Sequence, residues 1–315
     1  MGEGKRARNA ERAERTAAHA DAVEALRTVR DWLRYATSRF AEAGVSFGHG
    51  TSTALEEAAF LILHTLSLPI DRLDPWLDAR LTLAERRAIL DIVTARIETR
   101  KPAAYLTGAA YVQGHCFTVD ERVIVPRSYI CELVCRGGLA PALPPEASVG
   151  RILDLCTGSG AIAILAALAF PAARVDATEL SADALEVAHA NVAAYALGGR
   201  ITLFEGDLFA PVAERRYDLV LANPPYVAAA NVAAFPPEYA AEPKLAHLGG
   251  ADGLDIVRRV LAEAPRHLEA DGTLVVEVGA GRALLEAEFP ELPFLWLDTE
   301  GSEGEVLTLT ASQLA

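Results

Sequence analysis

The sequence predicts an α/β protein in which a doubly wound, mostly parallel sheet follows a small helical domain. From Arg151 onward, apolar runs of strand length alternate with segments of helical apolar spacing, which is typical of a parallel sheet covered by helices. Before about residue 105, apolar residues recur only at helical spacing. A chain of 315 residues is long enough for two domains that each bury a core.

Amphipathic helices account for the N-terminal third of the chain. The apolar spacing predicts one helix from about Ala20 to Ala43. Two further helices are expected to begin near Thr53 and Thr82, because Glu56 and Glu85 follow at the spacing of a helix-capping box. This helical region carries no obvious catalytic chemistry, so we expect it to dock a protein substrate, with simple scaffolding as the alternative.

A bridging segment connects the helices to the α/β domain. Two short strands are expected between Tyr111 and Val125, around the polar turn Asp120-Glu121-Arg122, and Ser128 is placed to cap a following helix. A proline-rich linker, Pro141 to Gly150, leads onward. The expected organisation comprises four parts: a frayed or disordered basic lead-in at residues 1–20, a helical substrate-docking domain at 21–104, a bridging hairpin, helix and linker at 105–150, and a catalytic domain at 151–315.

A glycine turn follows the first strand of the α/β domain. The run Arg151-Ile-Leu-Asp154-Leu-Cys156-Thr157-Gly158-Ser159-Gly160 reads as strand, turn and helix start, where glycines let a ligand approach the backbone. Glu179 ends the second strand about twenty residues past Gly158, a spacing that suits a carboxylate bound to a ribose diol. Because NAD-binding domains use the same turn, the turn alone leaves the cofactor open.

Two more strand ends carry candidate site residues. The third strand runs into Gly206-Asp207-Leu208-Phe209, where Asp207 could accept a hydrogen bond from an exocyclic amine such as that of adenine. The fourth ends in Asn223-Pro224-Pro225-Tyr226, whose prolines hold the chain extended. An amide oxygen, a free carbonyl and a flat ring fit around a planar primary amine or amide. The long stretch Val227 to Gly250 then predicts an unstructured functional lid.

These motifs, in this order, resemble the class I methyltransferases that use S-adenosylmethionine, and among them the HemK-type protein glutamine methyltransferases. The resemblance spans roughly Trp32 to Leu314 and implies a Rossmann-like sheet of seven mostly parallel strands, the last antiparallel. It implies that Asn223, Pro224 and Tyr226 are catalytic and, with Pro225, bind the substrate. Methyl transfer to nitrogen needs no metal, and none is expected. The residues it implies for the cofactor are Asp154, Cys156, Thr157, Gly158, Ser159, Gly160, Glu179, Asp207, Leu208 and Asn223.

Other stretches indicate a branch of that family. Val125-Pro-Arg127-Ser128, and Glu238-Tyr239 with Glu242-Pro243, resemble the PrmB branch, which acts on the large-subunit ribosomal protein L-three. The release-factor branch, which methylates a Gly-Gly-Gln glutamine, is the alternative. Cys156 departs from the common glycine turn, in a way that is familiar in the PrmB branch. Arg127 is expected either to face the methionine carboxylate of the cofactor or to lie on the surface.

Composition helps to weigh the rival functions. A DNA adenine methyltransferase also uses Asn-Pro-Pro-Tyr, but a net charge of -14 is a poor match to phosphates and suits a basic protein partner. We therefore expect no sequence-specific binding of nucleic acid. An NAD-dependent dehydrogenase leaves Asn223 to Tyr226 unexplained. The alternative from a different class is a non-catalytic ribosome-assembly factor, which would fail to bind S-adenosylmethionine.

The sequence also predicts the compartment. Its four cysteines form no Cys-x-x-Cys pair, as expected for reduced thiols in the cytoplasm, and its seven histidines are too scattered to predict a metal site. No run of about twenty apolar residues predicts a membrane span. The first twenty residues lack the apolar core of a secretory signal. A cytoplasmic enzyme is expected.

Overall fold

The computed structural model describes residues 17–143 and 149–315. The basic lead-in expected at residues 1–20 therefore lies mostly outside the described residues, as does part of the expected linker. The chain divides into two compact units, Met1–Thr107 and Gly108–Ala315. In the part that the structure describes, no helix is both long and apolar enough to cross a bilayer.

Helices make up the first unit. Residues 17–25 are helical, and the helices that follow are α1 (Val29–Glu42), α2 (Ala54–Thr65), α3 (Leu83–Thr99) and α4 (Ala103–Thr107). The predicted caps are confirmed. Thr53 accepts from the backbone N–H of Glu56 at 3.2 Å, and Thr82 forms a capping box with Glu85. Each hydroxyl satisfies a backbone donor that the first helical turn would otherwise leave free.

The prediction of one helix from Ala20 to Ala43 is wrong, because the chain leaves helical geometry before Thr28. Thr28 is extended, with φ of -117° and ψ of 161°. Its hydroxyl accepts from the backbone N–H of Asp31 at 3.2 Å, and the Asp31 carboxylate accepts from the Thr28 N–H at 2.9 Å. This capping box starts a new helix at Val29. Apolar spacing alone conceals such a break, because it continues across the interruption.

The hairpin of the second unit exists, but its turn is not the predicted one. Strand β1 (Ala109–Val112) pairs antiparallel with β2 (His115–Thr118), and Gln113 and Gly114 make the turn with φ of 49° and 79°. Positive φ at both central residues gives a turn whose twist matches the flanking strands. The polar turn expected at residues 120–122 lies beyond β2.

A seven-stranded sheet dominates the second unit. Its strands are β3 (Arg151–Leu155), β4 (Arg174–Glu179), β5 (Ile201–Glu205), β6 (Tyr217–Ala222), β7 (Leu268–Glu277), β8 (Leu295–Leu297) and β9 (Val306–Thr310). Their order is β5-β4-β3-β6-β7-β9-β8, with β9 antiparallel to both of its neighbours and the remaining pairs parallel. The predicted mostly parallel, seven-stranded sheet is confirmed.

Helices accompany the strands of this sheet. They are α5 (Tyr129–Cys135), α6 (Ala161–Ala169), α7 (Ala182–Ala194), α8 (Ala229–Val232), α9 (Asp255–Glu263), α10 (Arg282–Glu288) and α11 (Ala311–Leu314). Buried residues of β3 and β6 belong to two different apolar clusters, because alternate side chains of a strand point to opposite faces. A strand that is apolar on both faces can only lie in the interior of a sheet. The carboxyl ends of the parallel strands consequently meet at one edge, where open α/β sheets bind ligands.

Candidate active site

A cavity of about 410 Å³ opens at this edge of the sheet. It brings together most of the residues predicted from the strand ends, namely Cys156, Thr157, Gly158, Ser159, Glu179, Asp207, Leu208, Asn223, Pro224, Pro225 and Tyr226. Asp154 and Gly160, which the resemblance assigned to the cofactor, do not line it. The motifs that follow four parallel strands therefore form one continuous site.

Asp154 supports the glycine turn from below. Its side chain is fully buried and accepts from the Thr157 hydroxyl at 2.5 Å and from the backbone N–H of Ala163 at 3.1 Å. Burial raises the pKa of this carboxyl to about 7. The residue thus ties the turn to the first turn of α6 and so shapes the ligand site.

Glu179 is held at the end of β4 by backbone donors. Its carboxylate accepts from the N–H of Gly158 at 2.9 Å and from the N–H of Ser181 at 3.0 Å. Each carboxylate oxygen has a further lone pair, so the group can still accept hydrogen bonds from a diol. Its attachment to the glycine turn fixes where such a ligand would sit.

Asp207 has a partner that the sequence analysis did not foresee. Arg259, on α9, donates two hydrogen bonds to its carboxylate, at 3.2 and 2.7 Å, and both side chains are close to half exposed. Each oxygen of this carboxylate accepts one hydrogen bond from the Arg259 guanidinium and keeps a further lone pair. An adenine amine would have to share this carboxylate with Arg259.

The tetrapeptide from Asn223 to Tyr226 leaves β6 directly into the cavity. Asn223 is half-buried and lines that cavity, which places it where a ligand would bind. Two glycines let other backbone approach the tetrapeptide closely. A Cβ at Gly249 would lie 2.7 Å from the Pro225 carbonyl oxygen, and one at Gly253, where φ is 92°, would lie 2.4 Å from that of Tyr226. Larger residues would displace this loop.

Tyr226 is oriented by Glu277, a residue of β7 that the sequence analysis did not single out. The phenol donates to one Glu277 oxygen at 2.8 Å, and the other oxygen accepts from the Ser128 hydroxyl at 2.6 Å and the Tyr129 N–H at 2.9 Å. Glu277 is only 2% exposed, and this burial raises its pKa. Burial also raises the pKa of Tyr226 well above its usual value, so the phenol stays protonated. The position of an acidic residue at the end of an otherwise apolar strand was the sequence signal that could have identified Glu277 as a site residue.

Arg127 engages Glu242. The guanidinium donates to the two carboxylate oxygens at 2.7 and 2.9 Å, and the Val125 N–H donates to the same carboxylate at 3.0 Å. Arg127 lines the cavity, whereas Glu242, which belongs to the loop after Tyr226, does not. The prediction that this loop is unstructured is wrong. The loop contains α8 and two short 3-10 turns, and a β-bridge joins Val227 to Leu248.

The described residues contain no group of three or more His, Cys, Asp or Glu side chains placed to hold a metal ion. They do fit S-adenosylmethionine. The turn at Gly158 and Gly160 has positive φ at both glycines and precedes a helix, and a fixed carboxylate stands at the end of the next strand. This combination of a close backbone approach and a diol acceptor suits a nucleoside-containing ligand.

The strand order, with β9 antiparallel between β7 and β8, and the ligand cavity at the carboxyl ends of the strands define a class I methyltransferase. The sequence model of the Methyltransferase small domain matches residues 138–235. The hMettl16 catalytic domain, solved with a MAT2A 3′UTR hairpin, shares this fold with a TM-score of 0.50, at 15% identity over 89% of this chain and 91% of that one.

Curated relatives are far more similar. The ribosomal protein uL3 glutamine methyltransferase of Bordetella pertussis is 54% identical over 289 residues, covering 92% of this chain and 97% of that protein. The protein of the same name from Bradyrhizobium diazoefficiens is 53% identical, covering 92% of each chain. That from Neisseria gonorrhoeae is 51% identical, covering 93% and 97%. The chain belongs to the ribosomal protein uL3 glutamine methyltransferase family.

Proposed function

We propose that the protein transfers a methyl group from S-adenosylmethionine to the side-chain amide nitrogen of a glutamine in ribosomal protein uL3. The observation that carries the proposal is identity above 50% over more than nine-tenths of curated enzymes of that name, in a chain whose cavity contains Asn223 to Tyr226. A neutral, planar primary amide fits this tetrapeptide. The acidic chain, with a net charge of -14, also suits a basic ribosomal protein.

The chemistry explains why orientation matters most. An amide nitrogen is a weak nucleophile because its lone pair is delocalised into the carbonyl. S-adenosylmethionine, when bound, supplies a methyl group on a sulfonium leaving group. In our proposal, the Asn223 side-chain oxygen and the Pro224 carbonyl each accept one N–H of the substrate amide, which directs its lone pair toward the methyl group. Such orientation can lower a barrier by about 7 kcal/mol or more.

Tyr226 and its surroundings complete the site. The phenol is fixed by Glu277, so the ring presents one face to the substrate amide and excludes water. The Asn223 oxygen dipole stabilises the positive charge that develops on the nitrogen. No side chain has to act as a strong base, because the proton of the methylated amide is acidic and leaves to water after the transfer.

The cofactor assignments belong to the same proposal. Cys156, Thr157, Gly158, Ser159 and Leu208 would contact the cofactor from the cavity wall, Glu179 would accept from its ribose, and Asp207 would contact its adenine together with Arg259. In this scheme Asp154 and Gly160 shape the turn. We also propose that the enzyme works in the cytoplasm, in keeping with four cysteines that are all free thiols.

The helical region at residues 21–104 is proposed to dock the protein substrate, with residues 105–150 as the bridge to the catalytic domain. Within the helical unit, an open groove of about 510 Å³ includes Tyr35, Leu90 and Ile97 among its lining residues. Tyr35→Ala should raise the KM for uL3 without changing the affinity for S-adenosylmethionine. An unchanged KM would remove the groove from the docking surface.

The substrate is tested by incubating the purified enzyme and labelled S-adenosylmethionine with uL3 or with a peptide release factor, and then mapping the label by mass spectrometry. Label on one glutamine of uL3 is expected. Label on the Gly-Gly-Gln glutamine of the release factor, with none on uL3, would assign the chain to the other branch. Binding of S-adenosylmethionine without transfer to either protein would contradict both.

A further inference from the structure

The loop after Tyr226 contributes half-exposed leucines to the wall of the cavity. Leu245 is 52% exposed and Leu248 is 47% exposed, and both line the cavity that contains Asn223 to Tyr226. Leaving two large apolar side chains in water in the wall of a cavity costs free energy that burial against a ligand would recover. We name these two residues the leucine ledge.

A buried ion pair fixes the segment that carries the ledge. The Glu242 side chain is completely buried, while its Arg127 partner is 28% exposed. Arg127 also donates to the Val125 carbonyl at 3.0 Å, so the guanidinium joins its own backbone to Glu242. His247 lies between the two leucines in the sequence, and its Nε2 is 3.0 Å from the Glu242 carboxylate. The segment 125–127, which lines the cavity, is thereby connected to the segment 242–248, which also lines it.

Contacts between aromatic rings also hold the same segment in place. The ring of Phe235 lies 4.5 Å from that of Tyr239 and 5.3 Å from that of His247, between centroids. The Arg127 guanidinium lies 5.8 Å from the Tyr239 ring. A loop of about twenty residues would ordinarily be mobile and could not hold a fixed binding surface. In this loop, the ion pair between Arg127 and Glu242 and the ring contacts of Phe235 restrict such motion.

We propose that the leucine ledge binds the polypeptide segment of the protein substrate next to its target glutamine, and that Glu242 is a positioning residue that holds the ledge in place. The proposal rests on the proposed function. Its reason is continuity: the ledge lines the same cavity as the tetrapeptide that would orient the amide, so residues flanking a glutamine at Asn223 lie in the cavity that the ledge lines. The occupant is an apolar side chain or the aliphatic stem of a residue flanking that glutamine. The ledge therefore determines which glutamine-containing loop is accepted, while the tetrapeptide supplies the chemistry.

The test compares the KM and kcat of the full-length enzyme for uL3 with its affinity for S-adenosylmethionine. Leu245→Ser and Leu248→Ser should each raise KM by about ten-fold, as expected when a buried apolar contact is lost on binding. The kcat at saturating uL3, the cofactor affinity and the melting temperature should stay at wild-type values, because both side chains are exposed. Leu245→Met should restore KM, since it returns the apolar area. Leu284→Ser is the matched control, at a leucine of α10 that is 49% exposed and does not line the cavity.

Glu242→Gln tests the positioning role. It should raise the KM for uL3 and leave the cofactor affinity unchanged, whereas Glu286→Gln, at an exposed ion pair with Arg282, should alter neither. If the leucine variants keep the wild-type KM, the inference is wrong and the proposed function survives. A wild-type enzyme that does not methylate uL3 would overturn both. A change in sedimentation from a larger species to a monomer in Leu245→Ser would show that the ledge covers a second copy of the chain, and would also overturn the inference.

Discussion

The phenol of Tyr226 donates a 2.8 Å hydrogen bond to the buried carboxylate of Glu277, at the end of β7. Glu277 also accepts from Ser128 and Tyr129, so one side chain joins the tetrapeptide to the first turn of α5. Gly279 packs against the same ring, and a Cβ at this position would come within 2.6 Å of a ring carbon. The hydrogen bond to Glu277 and the close packing of Gly279 together fix the orientation of the Tyr226 ring.

Tyr226→Phe should therefore reduce both stability and turnover. Removing the phenol leaves a buried carboxylate short of one donor, which costs about 1 to 3 kcal/mol of unfolding free energy. Turnover should fall by up to about a hundred-fold, because a small misplacement of an orienting group is enough to do so. Denaturation and single-turnover kinetics measure the two effects. Tyr195→Phe is the control, since its partly exposed phenol donates to the Cys116 carbonyl away from the cavity.

Asn223→Ala separates substrate orientation from cofactor affinity. With the side-chain oxygen gone, the substrate amide is no longer directed, and turnover should fall by about a hundred-fold or more. Binding of S-adenosylmethionine, measured by calorimetry, should remain close to that of the wild type. Equal losses in binding and in turnover would instead mean that Asn223 shapes the cofactor pocket.

Glu179→Ala should weaken cofactor binding. The variant loses an acceptor for the ribose and also releases the N–H of Gly158, so a decrease of about 1.5 to 3 kcal/mol in binding free energy is expected. Glu205→Ala, which removes an exposed acid from the neighbouring strand end in register with Glu179, is the matched control. Calorimetry that finds equal affinity in the wild type and Glu179→Ala would exclude the ribose assignment.

The raised pKa of Asp154 predicts a dependence of stability on pH. Its pKa is about 7 in the folded protein, above the usual value of about 3.9 in an unfolded chain. The folded state therefore holds the proton more tightly, and this group's contribution is complete at low pH and is lost as the pH rises to about 7. Asp154→Asn removes that contribution. The melting temperature of the wild type should thus fall more between about pH 5 and pH 8 than that of the variant. Identical slopes would show that Asp154 does not retain its proton.

Association with a basic substrate should depend on salt. The net charge of -14 attracts a cationic partner over a distance that salt shortens. The association rate with uL3, measured by stopped-flow fluorescence, should fall as ionic strength rises, while the dissociation rate changes less. An association rate that is independent of salt would mean that steering by net charge plays no part.

Local signals made much of this fold predictable. The hydroxyl and acid pairs at Thr53 and Thr82 locate helix starts because a cap is formed by residues three apart. The sheet follows from the alternation of buried strands and helices, and the cavity from the rule that the carboxyl ends of parallel strands coincide. The break at Thr28 has a local cause in its capping box, and the hairpin turn has one in the positive φ of Gln113 and Gly114; neither apolar spacing nor polarity alone indicates them.

The unforeseen parts of the site depend on pairs that are far apart in sequence. Arg259 reaches Asp207, Glu277 reaches Tyr226, and Glu242 reaches Arg127, over separations of 52, 51 and 115 residues. No spacing rule connects such residues, because only the packed sheet brings them together. An acidic residue in an apolar stretch of sequence indicates that its side chain has a polar partner, but only the structure shows which residue that partner is.

The position of β6 in the sheet has a consequence for refolding. Strand β6, which ends just before Asn223, lies between β3 and β7. Its pairing with β3, in which Ile152 is opposite Leu219, joins residues that are far apart in the sequence. Contacts of this kind form slowly, since the ordering of the intervening chain opposes them. When denatured enzyme is diluted into buffer, helical circular dichroism should return first and methyl transfer last. Recovery of activity is therefore a direct kinetic report on the closure of the central sheet.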